Sequence, residues 1–428
     1  MKIETLAVHA GRQVDPTTGA ITPPIQMSTT YERDVDGGYS RSYSYTRPDN
    51  PTRRSLEICL AQLEGAADAV CFSSGAAATM AVFSLLKPGD HVLAPRECYY
   101  GTRQLLKEYL SGWGVRSDFI DMPDLRQLDE HLRPTTRLIW IETPCNPTLK
   151  VTDIRAVAQR AESVGALLVC DNTFPTPVLQ RPLAIGADLV VHSSTKYFGG
   201  HSDVMGGAVL TRDSTRAAAV RQYQAVGGAV PSPFDCWLIR RSLATLPLRV
   251  RSQSASALEV ASFLSKHAGI ERVCYPGLET DPGHAVAREQ MAGFGAMVSM
   301  CVRGDARSAM AVAARTRIFM RATSLGGVES LVEHRASVEE RRYADAAEPA
   351  APVDRTREPS GSHRGPGPGA ADVGGNLSAA HDPARAHSRT NVTLSRTRCS
   401  RMRPVFDLYL VCGDPGRLSR SSGSWWRA

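Results

Sequence analysis

The apolar positions between about residues 55 and 230 fall into short runs that alternate with stretches of helical spacing. The short apolar runs predict buried strands, and the stretch Ile154–Val164 has the apolar spacing of a helix. Strands that are apolar throughout and separated by helices are typical of a parallel sheet covered on both faces. We therefore predict an α/β fold with a mostly parallel central sheet. The predicted strands are Ala69–Phe72, His91–Ala94, Leu138–Ile141, Ala166–Cys170 and Asp188–Val191.

The same pattern divides the chain into segments. Residues 1–50 are rich in proline and have little apolar periodicity, which predicts an extended N-terminal arm. Residues 51–230 form the sheet domain, and residues 231–340 form a smaller C-terminal α/β domain. In the smaller domain we predict helices at Phe234–Leu246 and Ala255–Leu264 and short strands at Ala296–Val302 and Ile318–Ala322.

Residues 341–428 are dominated by Arg, Pro, Gly, Ala, Ser and His, so we predict an atypical, disordered tail. Its one apolar patch, Val405–Val411, is too short to form a domain. The tail holds 14 arginines against eight acidic residues and so carries +6 of the net charge of +7. Nucleic-acid binding through the tail is therefore only a remote alternative, because the rest of the chain is nearly neutral and the tail lacks interleaved aromatic residues.

At 428 residues, with 42% apolar and 22% charged residues, the chain has the composition of an ordinary globular protein. Its apolar runs are shorter than a membrane span, and Met1–Thr5 lacks the apolar core of a secretion signal. We expect a cytoplasmic protein with no membrane or nucleic-acid partner. The ten cysteines are scattered singly without metal-ligand spacing, so we predict no metal site.

Lys196 follows the predicted strand Asp188–Val191 closely and lies among hydroxyls and glycines. The chain has six lysines against 44 arginines, so a lysine at this place is unusual. Partial desolvation would favour its free amine, which is the form that makes Schiff bases. The alternative is a lysine just past a strand end with its charge in water, and the segment by itself leaves both open.

Polar residues also follow two other predicted strands. Ser73–Thr79 places a turn of small residues before a helix, which suits an anion such as phosphate or serves backbone geometry alone. Asp171 ends a buried strand, where its carboxylate needs a cationic or N–H partner or caps a helix.

Glu142 and Asn146 follow a further strand within a proline-rich turn, which by itself favours local hydrogen bonds. Tyr99 and Tyr100 follow the remaining strand and could equally belong to the core. A phosphate site, a buried acid, a stacking ring and a reactive amine are together what pyridoxal phosphate requires. The combination is more specific than any of its parts.

At these residues the chain resembles the Cys/Met-metabolism family of pyridoxal-phosphate enzymes, the group of cystathionine γ-synthase, cystathionine γ-lyase, methionine γ-lyase and the O-acyl-homoserine sulfhydrylases. The resemblance covers about residues 4–339 and implies the fold-type I transferase architecture, with residues 51–230 binding pyridoxal 5'-phosphate. The motifs that carry it are Thr5–Gly11, Tyr45–Arg53, Asp171–Phe174 and Ser324–Ser330.

The resemblance implies catalytic roles for Lys196 and Tyr99. Lys196 would form the Schiff base with the cofactor and then move protons among substrate carbons. Asp171 would keep the pyridine nitrogen protonated. Tyr99 would stack on the ring and act as an acid or base; it is chosen over Tyr100 because the family pattern is Tyr-Gly-Gly-Thr.

The resemblance also implies the binding residues. Gly75, Ala76, Ser193 and Thr195 would hold the phosphate. Tyr45 and Arg47 would reach the phosphate of a neighbouring subunit, which implies a dimer, usually within a homotetramer. Asn146 would contact the phenolic oxygen of the cofactor, and the predicted substrate-binding residues are Glu142, Asn146 and Ser324.

The implied function is γ-replacement or γ-elimination on homoserine-derived or sulfur amino acids, and the sequence leaves the choice between the two open. Gly101 stands where methionine γ-lyases carry a reactive cysteine, which disfavours that member. The family strand Leu-Leu-Arg-Leu-Ser-Val-Gly-Ile-Glu, with the arginine that binds the substrate carboxylate, has no counterpart near Pro359. The small domain is therefore predicted to be incomplete, and a change of reading frame after Glu339 would explain this. The alternative function is a protein that binds cofactor but is catalytically impaired.

Overall fold

The computed structural model describes residues 1–338 and 407–411. Helix α1 (Ile3–His9) is followed by an arm without helix or strand apart from one bridge between Thr30 and Tyr45. Helix α2 (Pro51–Glu64) begins where the Asn50 side chain accepts hydrogen bonds from two backbone N–H groups. These contacts satisfy N–H groups that a helix start otherwise leaves unpaired. Helix α1 lies within the segment 1–50 that was predicted to be extended, so the extended arm stays a prediction for the residues between α1 and α2.

The central sheet has seven strands, and all five predicted strands are present in it within two residues at either end. Its order is β1-β7-β6-β5-β4-β2-β3, in which β7 is antiparallel to β1 and β6 and the remaining neighbours are parallel. The predicted fold class is therefore confirmed. The strands are β1 (Asp68–Phe72), β2 (His91–Pro95), β3 (Arg116–Ile120), β4 (Thr136–Glu142), β5 (Leu167–Asp171), β6 (Leu189–Ser193) and β7 (Gly207–Thr211).

The sequence did not predict β3 and β7. Strand β3 lies at the edge of the sheet and begins Arg-Ser-Asp, so its apolar pattern is weak. Strand β7 begins with Gly207, which has no side chain to mark a strand.

Successive side chains of each strand point to opposite sides of the sheet. Because both sets are apolar, both faces are buried, and helices cover them. Trp140 and Val169 pack in one buried cluster, whereas Ile139, Ile141 and Leu168 pack in another. A π-helical segment (Leu105–Leu110) and two short 3₁₀ segments (Ser111–Trp113 and Pro182–Ala184) complete this region. Its helices are α3 (Gly75–Phe83), α4 (Tyr100–Gln104), α5 (Leu125–His131), α6 (Ile154–Ser163), α7 (Thr176–Leu179) and α8 (Ser214–Gly227).

The C-terminal part builds a second, five-stranded sheet in the order β10-β11-β12-β9-β8. The predicted helix Phe234–Leu246 ends at Leu243, and Ala255–Leu264 is the second half of one long helix. The strand predicted at Ile318–Ala322 is only two residues long. The elements are α9 (Pro233–Leu243), α10 (Leu246–Leu264), β8 (Ile270–Cys274), α11 (His284–Gln290), β9 (Met297–Val302), α12 (Ala306–Arg315), β10 (Met320–Arg321), β11 (Leu331–His334) and β12 (Asp407–Val411).

Strand β12 corrects the prediction that residues 341–428 are disordered throughout. It lies at the centre of the second sheet and pairs antiparallel with β9 on one side and β11 on the other. A five-residue strand with two neighbours is stabilised by pairing over a long sequence separation, which local composition does not reveal. The rest of the predicted tail, residues 341–406 and 412–428, lies outside the described residues. Among the helices that the structure describes, none has the length and apolar character needed to cross a bilayer.

Candidate active site

The parallel strands bring the predicted polar residues to one edge of the central sheet. Glu142 is the last residue of β4 and lies opposite Asp171, the last residue of β5. Ser193 ends β6, the next strand, and Lys196 lies in the turn that follows it. Active sites of open parallel sheets lie beyond the carboxyl ends of their strands. The structure therefore brings these four residues together as the sequence predicted.

The Lys196 side chain is placed against Ser324, which comes from the segment before β11. Its Nζ atom donates a hydrogen bond to Ser324 Oγ at 3.0 Å. Ser324 has a φ of 101°, a conformation that costs energy in a residue with a side chain. The following Gly326 packs so closely that a Cβ atom there would lie 2.5 Å from the backbone nitrogen of Tyr197. The loop is thus fixed directly against the turn that carries the lysine.

The Asp171 carboxyl interacts electrostatically with Glu142, His192 and Lys196. Its Oδ1 atom accepts a hydrogen bond of 3.0 Å from the backbone N–H of Thr173. Burial raises the pKa of Asp171, and the hydrogen bonds of Thr173 and the charges of His192 and Lys196 act in the opposite direction. A further positive charge beside this carboxyl would stabilise its ionised form.

Glu142 is buried, and both of its carboxylate oxygens accept from the backbone N–H of Tyr99, each at 2.9 Å. Burial and the neighbouring Asp171 raise the pKa of Glu142. This contact gives Glu142 a role that the sequence did not predict, namely holding the backbone of Tyr99. Its predicted contact with substrate stays a prediction.

The two tyrosines after β2 differ in exposure. Tyr99 is 43% exposed at the edge of the site, whereas Tyr100 is only 7% exposed. A Cβ atom on Gly101 would lie 2.6 Å from Cε1 of Tyr99, so the glycine leaves room for that ring. The exposed ring supports Tyr99, rather than Tyr100, as the residue that contacts a ligand.

The residues predicted to bind phosphate lie at and near the start of α3. A Cβ atom on Gly75 would lie 2.9 Å from Cβ of Ser193, so these two residues are in direct contact. Ala76 is the next residue of the helix, whose first N–H groups attract anions. The hydroxyl of Thr195 donates to the carbonyl of Gly206 at 3.2 Å and accepts from its N–H at 3.1 Å. Thr195 therefore also fixes the loop between Lys196 and β7.

Asn146 provides a test of whether the site suits a polar ligand. It is 8% exposed, and its Oδ1 atom is buried without a hydrogen-bond partner among the described residues. Buried amide oxygens are normally paired, so this atom is placed for a group that the protein itself does not supply. Gly75 and Ser193, which are in direct contact, could bind a phosphate, and Lys196 offers an amine beside them. The residues present fit pyridoxal phosphate.

Tyr45 and Arg47 lie elsewhere, on the arm. Arg47 donates to the carbonyl of Ala225 on α8, and its guanidinium lies 5.9 Å from the centre of the Tyr45 ring. Tyr45 is 43% exposed. The role of these two residues toward a neighbouring subunit stays a prediction.

A buried polar network that the sequence did not predict lies behind the strand ends. Glu64 on α2 approaches His192 Nε2 at 2.9 Å and accepts from Asn172 Nδ2 at 3.3 Å. Gln180 donates to Asn172 Oδ1 and to the carbonyl of Thr143, each at 3.0 Å. Thr143, Asn172 and His192 are the chain neighbours of Glu142, Asp171 and Ser193. The network therefore fixes the ends of these three strands relative to one another. In the sequence, its members could be noticed only as polar residues next to apolar strands.

Replacing Glu142 by glutamine is expected to change how the stability of the cofactor-free protein depends on pH. Because the pKa of Glu142 is raised above its ordinary 4.5, the folded state holds this proton more tightly than the unfolded state. The free energy of unfolding should fall as the pH rises above that value, by about 1.4 kcal/mol for each unit of pKa shift. Glu142→Gln should lose this dependence in urea unfolding measured across pH, whereas exposed Glu130→Gln should keep it. Equal pH profiles for Glu142→Gln and the unchanged protein would contradict the expectation.

The fold and this site define a fold-type I pyridoxal-phosphate enzyme. Residues 4–355 match the family described as Cys/Met metabolism PLP-dependent enzyme, and the chain belongs to that family. Its cofactor is pyridoxal 5'-phosphate, and the family acts in sulfur amino-acid metabolism. The sequence resemblance is thereby confirmed.

Curated relatives and solved structures agree with this assignment. Cystathionine gamma-synthase of Mycobacterium tuberculosis is 47% identical over 331 residues, which are 77% of this chain and 85% of the relative. Cystathionine gamma-lyase of Dictyostelium discoideum is 43% identical over 332 residues, 78% of this chain and 86% of the relative. The structure of metB from Corynebacterium glutamicum is 42% identical, with a TM-score of 0.79 over 80% of this chain and 90% of that one. CalE6, a methionine gamma lyase from Micromonospora echinospora, is 44% identical, with a TM-score of 0.76 over 79% and 91%.

Proposed function

We propose that the chain catalyses γ-replacement or γ-elimination on homoserine-derived or sulfur amino acids. The observation that carries the proposal is the Lys196 amine, held 3.0 Å from Ser324 Oγ beyond the same sheet edge as Asp171. An amine that reacts with carbonyls, an acid and a hydroxyl for substrate binding are thereby gathered where parallel sheets bind ligands. The names of the relatives include a gamma-synthase and a gamma-lyase, which supports this pair of reactions.

Bound pyridoxal phosphate supplies an electron sink that makes the protons on the substrate α- and β-carbons removable. Lys196 would hold the cofactor through its amine and then accept and return these protons. Asp171 would hold the pyridine nitrogen in its charged form. Gly75, Ser193 and the start of α3 would bind the phosphate, with Ala76 and Thr195 beside them.

Tyr99 and Asn146 would complete the acid–base and orienting groups. The Tyr99 ring is exposed at the site while its backbone is fixed by Glu142, so its hydroxyl can protonate a departing γ-substituent without moving the main chain. The buried Oδ1 of Asn146 marks an amide that would orient the ligand.

A purified preparation tests the proposal. It is incubated with cystathionine, and separately with O-succinylhomoserine plus cysteine, and the products are analysed by mass spectrometry. Cystathionine formation indicates replacement, and a 2-oxo acid with cysteine indicates elimination. A preparation that binds cofactor but forms neither product contradicts the proposed activity.

One observation favours the alternative, a cofactor-binding but catalytically impaired protein. Strand β12, which follows β11 in the described part of the chain, has the sequence Asp-Leu-Tyr-Leu-Val and contains no arginine. In the family that the chain resembles, the strand that follows the region of residues 337–339 carries the arginine for the substrate carboxylate. If the alternative is right, the pyridoxal absorbance band is present and both incubations give no product.

Ser324→Ala is expected to raise KM about tenfold while changing kcat less. The hydroxyl that pairs with Lys196 would bind the substrate carboxylate, and a hydrogen bond to a charged group is worth about 1.5 kcal/mol or more. Steady-state kinetics with varied amino-acid substrate measure the effect, and exposed Ser163→Ala on α6 is the control. An unchanged KM would exclude Ser324 from substrate binding.

We also propose a dimer, within a homotetramer, in which Tyr45 and Arg47 complete the partner's phosphate site. Arg47→Ala and Lys196→Ala should each be inactive. A refolded equal mixture should regain about a quarter of the activity, because half the dimers are hybrid and each hybrid has one intact site. A mixture of Lys196→Ala with Asp171→Ala should regain none, because those two residues share a chain. Recovery in both mixtures, or in neither, would contradict the shared site.

The cytoplasmic location stays a prediction.

A further inference from the structure

A cavity of about 310 Å³ lies at the base of the arm, away from the strand ends that form the catalytic site. Its volume is in the range of small-molecule sites. Helix α9 supplies one wall, through Trp237, Arg240 and Arg241. The N-terminal segment and the start of α2 supply the others, through Arg12, Thr22 and Ser55 among others.

The walls of this cavity are positively charged. Three of its lining residues are arginines, Arg12, Arg240 and Arg241, and no lining residue is acidic. None of the three takes part in an ion pair found among the described residues. Burial first, and repulsion from Arg12 in addition, lower the pKa of Arg240. Like charges gathered in a partly dry cavity are unfavourable by themselves and attract an anion.

Arg240 distinguishes this cavity from a chance group of surface charges, because its side chain is buried and held in place. It is 5% exposed, and its Nη atoms donate to the carbonyls of Ala7, Val8 and Ala10. Its Nε atom is buried and has no hydrogen-bond partner in the part of the chain that the structure describes. A buried guanidinium N–H is normally paired, so the positive charge of Arg240 is left without full compensation at the wall of the cavity.

Neighbouring contacts keep the walls in place. The indole Nε1 of Trp237 donates to the carbonyl of Pro23 at 3.2 Å, which joins α9 to the arm. The Thr52 hydroxyl accepts from the N–H of Gln26 at 2.9 Å, and the Ser55 hydroxyl donates to the carbonyl of Gly11. The cavity thus has a flat aromatic wall, fixed hydroxyls and a fixed arginine.

We propose that this cavity is a second binding site, which takes a small organic oxyanion, a carboxylate or a phosphate. The exposed guanidinium groups of Arg12 and Arg241 pair with the charged oxygens, and the positive charge of the buried Arg240 attracts them. The ligand spans from the arm to α9, so its binding steadies the arm that carries Tyr45 and Arg47.

The experiment uses the full chain loaded with pyridoxal phosphate, so that the phosphate cradle of α3 is already filled. Succinate and inorganic phosphate are titrated in separate arms at low ionic strength. Calorimetry measures binding, and tryptophan fluorescence reports on Trp237. We expect saturable binding at up to millimolar concentrations in at least one arm, and the arm that saturates identifies the class of oxyanion. Lack of saturable binding in both arms, including through occlusion of the cavity by a second copy of the chain, overturns the proposal.

Substitutions locate the binding. The double variant Arg12→Gln/Arg241→Gln changes exposed arginines only and should weaken binding at least about tenfold. The exposed Arg126→Gln on α5 is the matched control and should bind as the unchanged protein does. Trp237→Phe should remove the fluorescence change and keep the calorimetric signal. Equal affinity of the double variant and the control overturns the proposal.

Discussion

Replacing Lys196 by alanine is expected to abolish turnover, with kcat lower by about 10⁴-fold or more. The amine would both hold the cofactor and move protons to and from the substrate, and a positioned acid–base group alone contributes up to about 10⁴-fold. Among the described lysines, Lys196 lies in the turn after β6, whereas Lys150 is paired with Glu97 and Asp121. Steady-state kinetics with the substrates of the proposed reactions measure the loss.

The same variant tests the covalent link directly. Borohydride reduction followed by peptide mass spectrometry should place the added mass on Lys196 in the unchanged protein and on no residue in Lys196→Ala. Lys266→Ala, which removes an exposed lysine after α10, is the control and should keep both activity and the modified peptide. Cofactor mass on another lysine of the unchanged protein would exclude Lys196 as the reactive amine.

The sequence could predict much of this site because a parallel sheet converts chain order into spatial order. Five of the seven strands were visible as apolar runs, and the polar residue after each of them must lie at the carboxyl edge of the sheet. This rule predicts the positions of Asp171 and Lys196 from the sequence. The pairing of Glu142 with Asp171 follows from the same rule once β4 and β5 are neighbours.

Contacts between distant segments could not be predicted in this way. Ser324 reaches Lys196 across 128 residues, and only the family resemblance suggested that they meet. The contact of Glu142 with the Tyr99 backbone and that of Glu64 with His192 depend on how helices pack behind the sheet. Periodicity records which face of an element is buried and not which element covers it.

Strand β12 shows that the amino-acid composition of a segment does not reveal every strand in it. A strand of five residues in a segment rich in arginine, proline and glycine has no local signal strong enough to outweigh its surroundings. Its stability depends on the open edges of β9 and β11, two strands that lie far earlier in the chain. The order of the second sheet therefore follows from tertiary pairing.

Ending the chain at Phe406 is expected to destabilise the second sheet strongly. The truncation removes β12, which forms four residue pairs with β11 and five with β9. At about 0.5 to 1 kcal/mol for each backbone hydrogen bond, the loss is roughly 5 kcal/mol, comparable with the whole stability of many domains. It also leaves β9 and β11 with unpaired edges, which promote association between chains.

Thermal unfolding and size-exclusion chromatography measure this effect against a matched control. A chain ending at Val411 lacks only the residues after β12 and should keep the melting temperature and the oligomeric state of the full chain. Tyr409→Pro provides a point test, because Tyr409 pairs with Ser299 and with Glu333 and proline cannot donate a backbone hydrogen bond from the middle of a sheet. It should lower the melting temperature as the longer truncation does. If the chain ending at Phe406 melts and elutes like the one ending at Val411, β12 does not stabilise the sheet and the original prediction of a disordered tail is restored.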